Sequence, residues 1–266
     1  MIDLLVIAIY FIASLFLFSY GMNCYVVVWL FLRSFRNGQK NNKAIEQKSE
    51  NIWEHPDEIP NVTTQIPLYN ELNVAERVIR AAAAMDYPEG KHEVQVLDDS
   101  TDETQLKVDQ VAAELRKEGK DITVIRRSNR VGYKAGALEA GTHLAKGEFL
   151  AVFDSDFIPE KDFLKRLIPF FLNDDKVGLV QARWGHINKD FSLFTQTQSL
   201  GIDGHFIIEQ SARCFSGLFM NFNGTAGLWR KQTVVDAGGW QHDTLTEDLD
   251  LAYRAQFAGW KATLVP

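Results

Sequence analysis

Hydrophobic and polar positions divide the chain into three stretches. Residues 4–32 include no charged residue, residues 34–60 are rich in Asn, Gln, Lys and Glu, and from Asn61 onward short apolar runs alternate with amphipathic ones. A membrane-crossing helix needs about 20 mainly apolar residues, so the first stretch predicts one transmembrane helix within residues 1–33. A cleavable signal peptide fits less well: the run is too long, Asp3 stands where a basic cluster belongs, and no clear small-residue cleavage site follows. Arg33, Arg36, Lys40, Lys43 and Lys48 come after the run and nothing basic precedes it. The positive-inside rule therefore predicts that the C-terminal side lies in the cytoplasm. Residues 34–60 read as a polar linker or an amphipathic surface segment.

Beyond residue 60 the periodicity switches repeatedly. Strands are predicted at 62–66, 93–97, 122–125, 149–153, 177–181 and 262–265. Helices are predicted at 71–85, 103–117, 134–145, 162–172 and 249–258. The alternation predicts an α/β domain over residues 61–266, with a mainly parallel central sheet and helices on both faces. Ligands of such sheets bind beyond the carboxyl ends of the strands.

Polar clusters fall at those ends. The first predicted strand runs into Pro67-Leu-Tyr69-Asn70-Glu71, the second into Asp98-Asp99-Ser100, and the fourth into Asp154-Ser155-Asp156. A single cluster of this kind reads as a turn or a helix cap; three on one edge point to a ligand. In extended backbone, residues i and i+2 face the same way. Asp154 and Asp156 can thus aim both carboxylates at one site, an arrangement suited to Mg²⁺ or Mn²⁺, which take oxygen ligands. Lys134 opens a predicted helix after a glycine-containing loop, a place where a diphosphate can sit. Thr246-Glu247-Asp248 precedes the last predicted helix; Thr244 and Glu247 have capping-box spacing, so cap and catalyst are both open readings there.

Composition narrows the class. Hydrophobic residues make up 46% of the 266 residues and charged residues 24%, enough for a large core with an ordinary surface. A net charge of -7 speaks against a nucleic-acid partner. Two cysteines, Cys24 and Cys214, suggest neither a disulfide framework nor a zinc site.

Together the ordered motifs resemble family 2 glycosyltransferases of the cellulose synthase superfamily, with the nearest likeness to cellulose synthase-like mannan, glucomannan and xyloglucan-backbone synthases. The matching segments are Gln65–Glu71, Val96–Asp102, Gly132–Leu138, Phe153–Phe157, Val180–Trp184, Phe222–Gly227 and Thr246–Asp248. The resemblance implies a Rossmann-like GT-A fold and a membrane-bound inverting β-glycosyltransferase. Such an enzyme transfers a hexose from UDP-glucose or GDP-mannose to a growing β-glycan. It implies that Tyr69, Glu71 and Asp98 or Asp99 hold the nucleotide and that Lys134 meets the diphosphate. Asp154 and Asp156 would share the donor and the metal. Trp184, Phe222, Asn223, Gly224, Thr225 and Glu247 would line the acceptor site, near the 205–210 segment, and Asp248 would be the general base. Trp184, Phe222 and Trp229 offer flat faces to sugar rings, with core packing as the alternative for each.

The family's Q-x-x-R-W motif follows its T-E-D, whereas Gln181-Ala-Arg-Trp184 lies upstream with different spacing. The missing motif and the missing further membrane helices lead to the expectation of a C-terminally truncated domain. Two other readings stand beside polymer synthesis. One is a non-processive family 2 enzyme that adds one sugar to a lipid or other membrane acceptor. The other is a non-catalytic scaffold that binds nucleotide or glycan.

Overall fold

The computed structural model describes residues 2–266. In chain order the helices are α1 (Ile2–Lys48), α2 (Leu72–Ala83), α3 (Thr104–Lys117), α4 (Tyr133–Leu144), α5 (Phe163–Asn173), α6 (Leu193–Asp203), α7 (Ser211–Phe215), α8 (Lys231–Asp236) and α9 (Glu247–Phe257). The strands are β1 (Val62–Leu68), β2 (His92–Asp98), β3 (Asp121–Ile125), β4 (Phe149–Val152), β5 (Val177–Ala182), β6 (Gly227–Arg230) and β7 (Lys261–Val265). These elements form two compact units. One holds α1 up to Asn41 together with Trp184–Leu218 and Pro266; the other holds Asn42–Arg183 and Phe219–Val265.

In the first unit, α1 is long and apolar enough to cross a membrane. Its large side chains point outward on every side, among them Leu4, Phe16 and Tyr20. The polar stretch that follows does not interrupt the helix. Residues 34–48 continue α1, because Lys, Gln, Glu and Ala favour helix and no proline intervenes before Pro56. Two short 3₁₀ turns, Glu50–Glu54 and Pro56–Glu58, then lead to β1. The second part of this unit is a continuous helical path: α6, a π-helical segment (Gly204–Gln210) and α7.

The second unit is built on a seven-stranded sheet in the order β3-β2-β1-β4-β6-β5-β7. Every neighbouring pair is parallel except those made by β6, which runs antiparallel to both β4 and β5. The expected α/β architecture with a mainly parallel sheet is therefore present. β4 is buried along its whole length, which explains its unbroken apolar run. α2 turns Ala75, Val78, Ile79 and Ala82 inward, and α5 does the same with Leu164, Leu167, Ile168 and Phe171. Each fully buried large side chain contributes about 1.5–3 kcal/mol, so these two faces hold the helices on the sheet.

The antiparallel β6 has no counterpart among the predicted strands. It is four residues long, and its period is hidden because three of its positions are buried. Its position matters for the site. Reversing one strand brings its amino end, and the Phe222–Thr225 loop before it, to the edge where β1, β2 and β4 end.

Candidate active site

The predicted clusters at the ends of β1 and β4 converge on one cleft of about 770 Å³, with Asp99 reaching it from the end of β2. Tyr69, Asn70 and Glu71 line it from β1, and Asp154, Ser155 and Asp156 from β4. Lys134, in the first turn of α4, reaches into it. Parallel pairing explains the convergence: Leu68 stands opposite Asp98, and Gln65 opposite Val152, so the residues just beyond each strand meet at one level.

Lys134 organises the centre. Its Nζ lies 2.5 Å from Asp154 Oδ1 and donates to the Gly224 carbonyl at 3.0 Å. The backbone N–H of Asp154 donates to Thr225 Oγ1 at 3.0 Å, and the N–H of Ala226 to the Val152 carbonyl at 2.9 Å. These bonds lock the loop before β6 against the end of β4. Gly224 has φ +79°, and a Cβ there would stand 2.9 Å from Asp248 Oδ2 and 3.3 Å from Lys134 Nζ. Only glycine permits both the backbone conformation and this approach. Asp248 thus stands across Gly224 from Lys134, in the first turn of α9. The capping box does not form: Thr246, not Thr244, is the N-cap, and it makes no side-chain cap bond.

Negative charge outweighs positive at this centre. Burial pushes the Asp154 carboxyl above the usual carboxylate range; Lys134 opposes the shift, while Asp156 and Asp248 add to it. Glu71 is raised in the same way, first by burial and then by Asp156 and Asp154, with Lys134 opposing. Glu71 Oε2 is buried with no hydrogen-bond partner. Asp154 and Asp156, hard oxygen donors at an under-neutralised centre, fit a divalent cation. Among the described residues no group of three or more metal-ligating side chains is already assembled.

Two predicted site residues are placed elsewhere. Asp98 was expected among the nucleotide-binding groups, but its side chain is buried and turned to Arg126, 2.8 Å away, and Oδ1 accepts the Ser100 N–H at 3.0 Å. Only Asp99 of that pair lines the cleft, and it is held by Arg127 through Nε at 3.0 Å. Phe222 was expected to face the acceptor. It is buried in the core, edge-on to Trp229 at 5.4 Å and beside Trp240 at 6.4 Å, so neither it nor the equally buried Trp229 presents a face to a sugar. Asn223, Gly224 and Thr225 form the loop already described, and Glu247 opens α9 beside Asp248. Trp184 belongs to the other unit, where it packs on Phe206 at 5.1 Å.

Arg130 lines the cleft and was missed as a site residue, while Arg126 and Arg127 brace Asp98 and Asp99 beside it. The guanidinium of Arg130 lies over the Tyr69 ring at 3.2 Å and beside Tyr133 at 4.9 Å, covering the ring face expected to meet a base. The available signal was the run Arg126-Arg-Ser-Asn-Arg130 directly after β3, on the same sheet edge as the acids.

A family model described as "Glycosyltransferase like family 2" matches residues 60–266. The chain belongs to that family. Among curated proteins it is 44% identical over 206 residues to glucomannan 4-beta-mannosyltransferase 2 of Arabidopsis thaliana, covering 76% of this chain and 39% of that protein. It is 40% identical over 257 residues to glucomannan 4-beta-mannosyltransferase 1 of Cyamopsis tetragonoloba, covering 94% of this chain and 48% of that one. The chain thus spans less than half the length of these relatives. The expected likeness to glucomannan synthases holds. Among solved structures, mannosyltransferase PcManGT from Pyrobaculum calidifontis, in complex with GDP-Man and Mn²⁺, matches with TM-score 0.63 at 22% identity over 90% of this chain and 66% of that one. S. aureus TarS 1-349 in complex with UDP-GlcNAc matches with TM-score 0.57 at 17% identity over 77% of this chain and 56% of that one. At these identities the two structures support the fold.

Proposed function

We propose that this family 2 chain carries the donor site and base of a membrane-attached, inverting β-mannosyltransferase that uses GDP-mannose to extend a β-glycan. The observation that carries the reading is the convergence of Glu71, Lys134, Asp154 and Asp156 on one cleft, with Asp248 and Lys134 both close to Gly224. The relatives named as glucomannan mannosyltransferases and the PcManGT complex with GDP-Man favour this donor over UDP-glucose.

In this reading Asp154 and Asp156 would hold Mg²⁺ or Mn²⁺, with Glu71 on the nucleotide side of the same cleft. The Mn²⁺ in the PcManGT complex supports a divalent ion. When bound, the cation offsets charge on the departing nucleoside diphosphate. Lys134 adds a fixed positive charge beside the diphosphate. Asp99 and Tyr69 contact the nucleotide once Arg130 leaves the ring face. Asn223–Thr225 and Glu247 receive the acceptor. Asp248 accepts the proton of the acceptor hydroxyl as its oxygen bonds to the anomeric carbon and the bond to the diphosphate oxygen breaks. One displacement inverts the configuration and gives a β-linkage. Residues 1–33 serve as the span, 61–266 as the transferase domain, and the basic residues after the span favour a cytoplasmic catalytic side.

The test is a donor assay on membranes containing the full-length protein, with radiolabelled GDP-mannose and UDP-glucose in parallel. Label from GDP-mannose in a polymer that β-mannanase digests is the expected result. Incorporation from UDP-glucose alone overturns the donor, label in a lipid-extractable single-sugar product overturns polymer extension, and no incorporation from either donor overturns the activity.

A further inference from the structure

Gln181 stands near the end of β5, opposite Gly227 on β6, and is fully buried. Leu179 and Val180 before it are apolar and buried, as a strand inside a sheet requires. A buried amide is costly unless its polar atoms find partners, so its partners say what it is for. Both ends of this amide turn to one loop, 42 to 45 residues further along the chain. Oε1 accepts the Asn223 N–H at 3.1 Å, and Nε2 donates to the Thr225 carbonyl at 3.0 Å and the Ala226 carbonyl at 3.1 Å. Nε2 is also 2.9 Å from the Ala182 carbonyl, so its two hydrogens are shared among three acceptors. A backbone N–H only donates and a carbonyl only accepts, so these partners fix which end of the amide is oxygen.

The loop needs such a clamp. Gly224 has φ +79° and Ala226 φ +52°, both left-handed. Alanine is strained there and keeps that conformation only where its surroundings impose it. Between the bonds to Gln181 lie the bonds to the reaction centre. The Gly224 carbonyl accepts from Lys134, and Thr225 Oγ1 accepts the Asp154 N–H. The same short loop is thus held from behind by one side chain and joined in front to the lysine and the first aspartate of the cleft.

We infer that Gln181 is a positioning residue for transfer, fixing Asn223–Ala226 in the one arrangement that presents the loop to an acceptor sugar. The inference rests on the reading that this loop receives the acceptor. It gives the amide an effect on the choice between nucleophiles: a sugar hydroxyl must be held in place to react, whereas water reaches the anomeric carbon without a shaped loop.

Gln181→Met in the full-length protein tests it, because methionine keeps the length and removes every side-chain bond to the loop. Transfer from GDP-mannose to glycan should fall about 10–100-fold in kcat, the loss expected when a reacting group is held slightly out of place. Hydrolysis of the same donor by water should stay within a few fold of wild type. So should GDP affinity in the presence of Mn²⁺, because the donor groups stand at the ends of β1, β2 and β4. A fall of transfer, hydrolysis and GDP binding together means a structural role only and overturns the inference; so does no change in any of them. Amide exchange of the detergent-solubilised protein needs no donor. The 219–228 segment should exchange several-fold faster in the variant with β1 and β2 unchanged, and an unaltered segment overturns the inference. If wild type transfers from UDP-glucose alone, the donor assignment falls, and the ratio of transfer to hydrolysis with UDP-glucose decides on Gln181. No transfer by wild type from either donor overturns the activity and the inference with it. If Gln181→Met does not fold, Gln181→Asn, which keeps the amide but is one methylene too short for the loop, reads the same split.

Discussion

Two acidic clusters close β2 and β4, the strands on either side of β1, and they have opposite fates. At the end of β2, Asp98 and Asp99 each have an arginine, Arg126 and Arg127, supplied from just beyond β3. At the end of β4, Asp154 and Asp156 share their surroundings with Glu71 and Asp248, and the one lysine that reaches them, Lys134, is divided between Asp154 and a carbonyl. The first cluster is neutralised and braces a wall. The second keeps an excess of negative charge and a buried oxygen without a partner, a costly state unless a ligand completes it. Uncompensated charge, rather than acidity as such, separates the candidate reaction centre from its scaffold.

Four expectations test this division, from the largest effect down. Asp248→Asn keeps the shape of the site and removes the base. Transfer should fall about 10²–10⁴-fold in kcat while donor affinity stays near wild type. Steady-state kinetics with a separate donor titration checks this, and activity within a few fold of wild type would remove Asp248 from the role.

Asp156→Asn should raise, by at least about tenfold, the concentration of Mn²⁺ that restores activity after EDTA treatment. Asp99→Asn, at the neutralised cluster, should leave that concentration unchanged. Equal metal titrations for the two variants would erase the contrast.

Asp98→Ala should act on stability instead. Breaking a fully buried ion pair costs about 3–5 kcal/mol. Arg126 is 33% exposed and keeps Asp109 at 3.0 Å, so about 2–3 kcal/mol is expected here, read as a lowered denaturation midpoint with metal dependence intact.

The smallest effect lies at the other end of β2. His92 is held down to about 4, first by burial, then by Lys120, with Asp121 opposing; its Nε2 is 2.8 Å from Thr64 Oγ1. A histidine whose folded value lies below its unfolded value of about 6.5 stabilises fully above that unfolded value and loses stability as pH falls toward the folded one. Near pH 5 the loss should be about 2 kcal/mol. Denaturation midpoints between pH 7 and 5 should flatten in His92→Gln, and a wild-type slope in that variant would assign the effect elsewhere.

Much of this was legible beforehand. The charge-free run, the β-α rhythm and the acids at the strand ends are local signals, carried by residues close in sequence, and the helices and strands formed within a few residues of their predicted bounds. Residues 34–48 were read by polarity as a linker although their helix propensity favoured continuing α1. β6 was missed because a short, buried strand between two others has no period of its own. Its reversal carries Asn223–Thr225 to Asp154, and it buried Phe222 in the core when the sequence alone left a sugar platform open. Arg130 over Tyr69 joins residues from different strand ends, which no spacing announces.

By itself the sequence determined the elements, the membrane-compatible helix and the chemical types available at the carboxyl edge, because periodicity, hydropathy and side-chain chemistry are properties of neighbours along the chain. Only the tertiary structure decided which carboxylates are neutralised and which aromatics are core. Charge compensation and burial depend on groups brought together from far apart in the chain, as Arg126 is to Asp98 and Gly224 to Lys134.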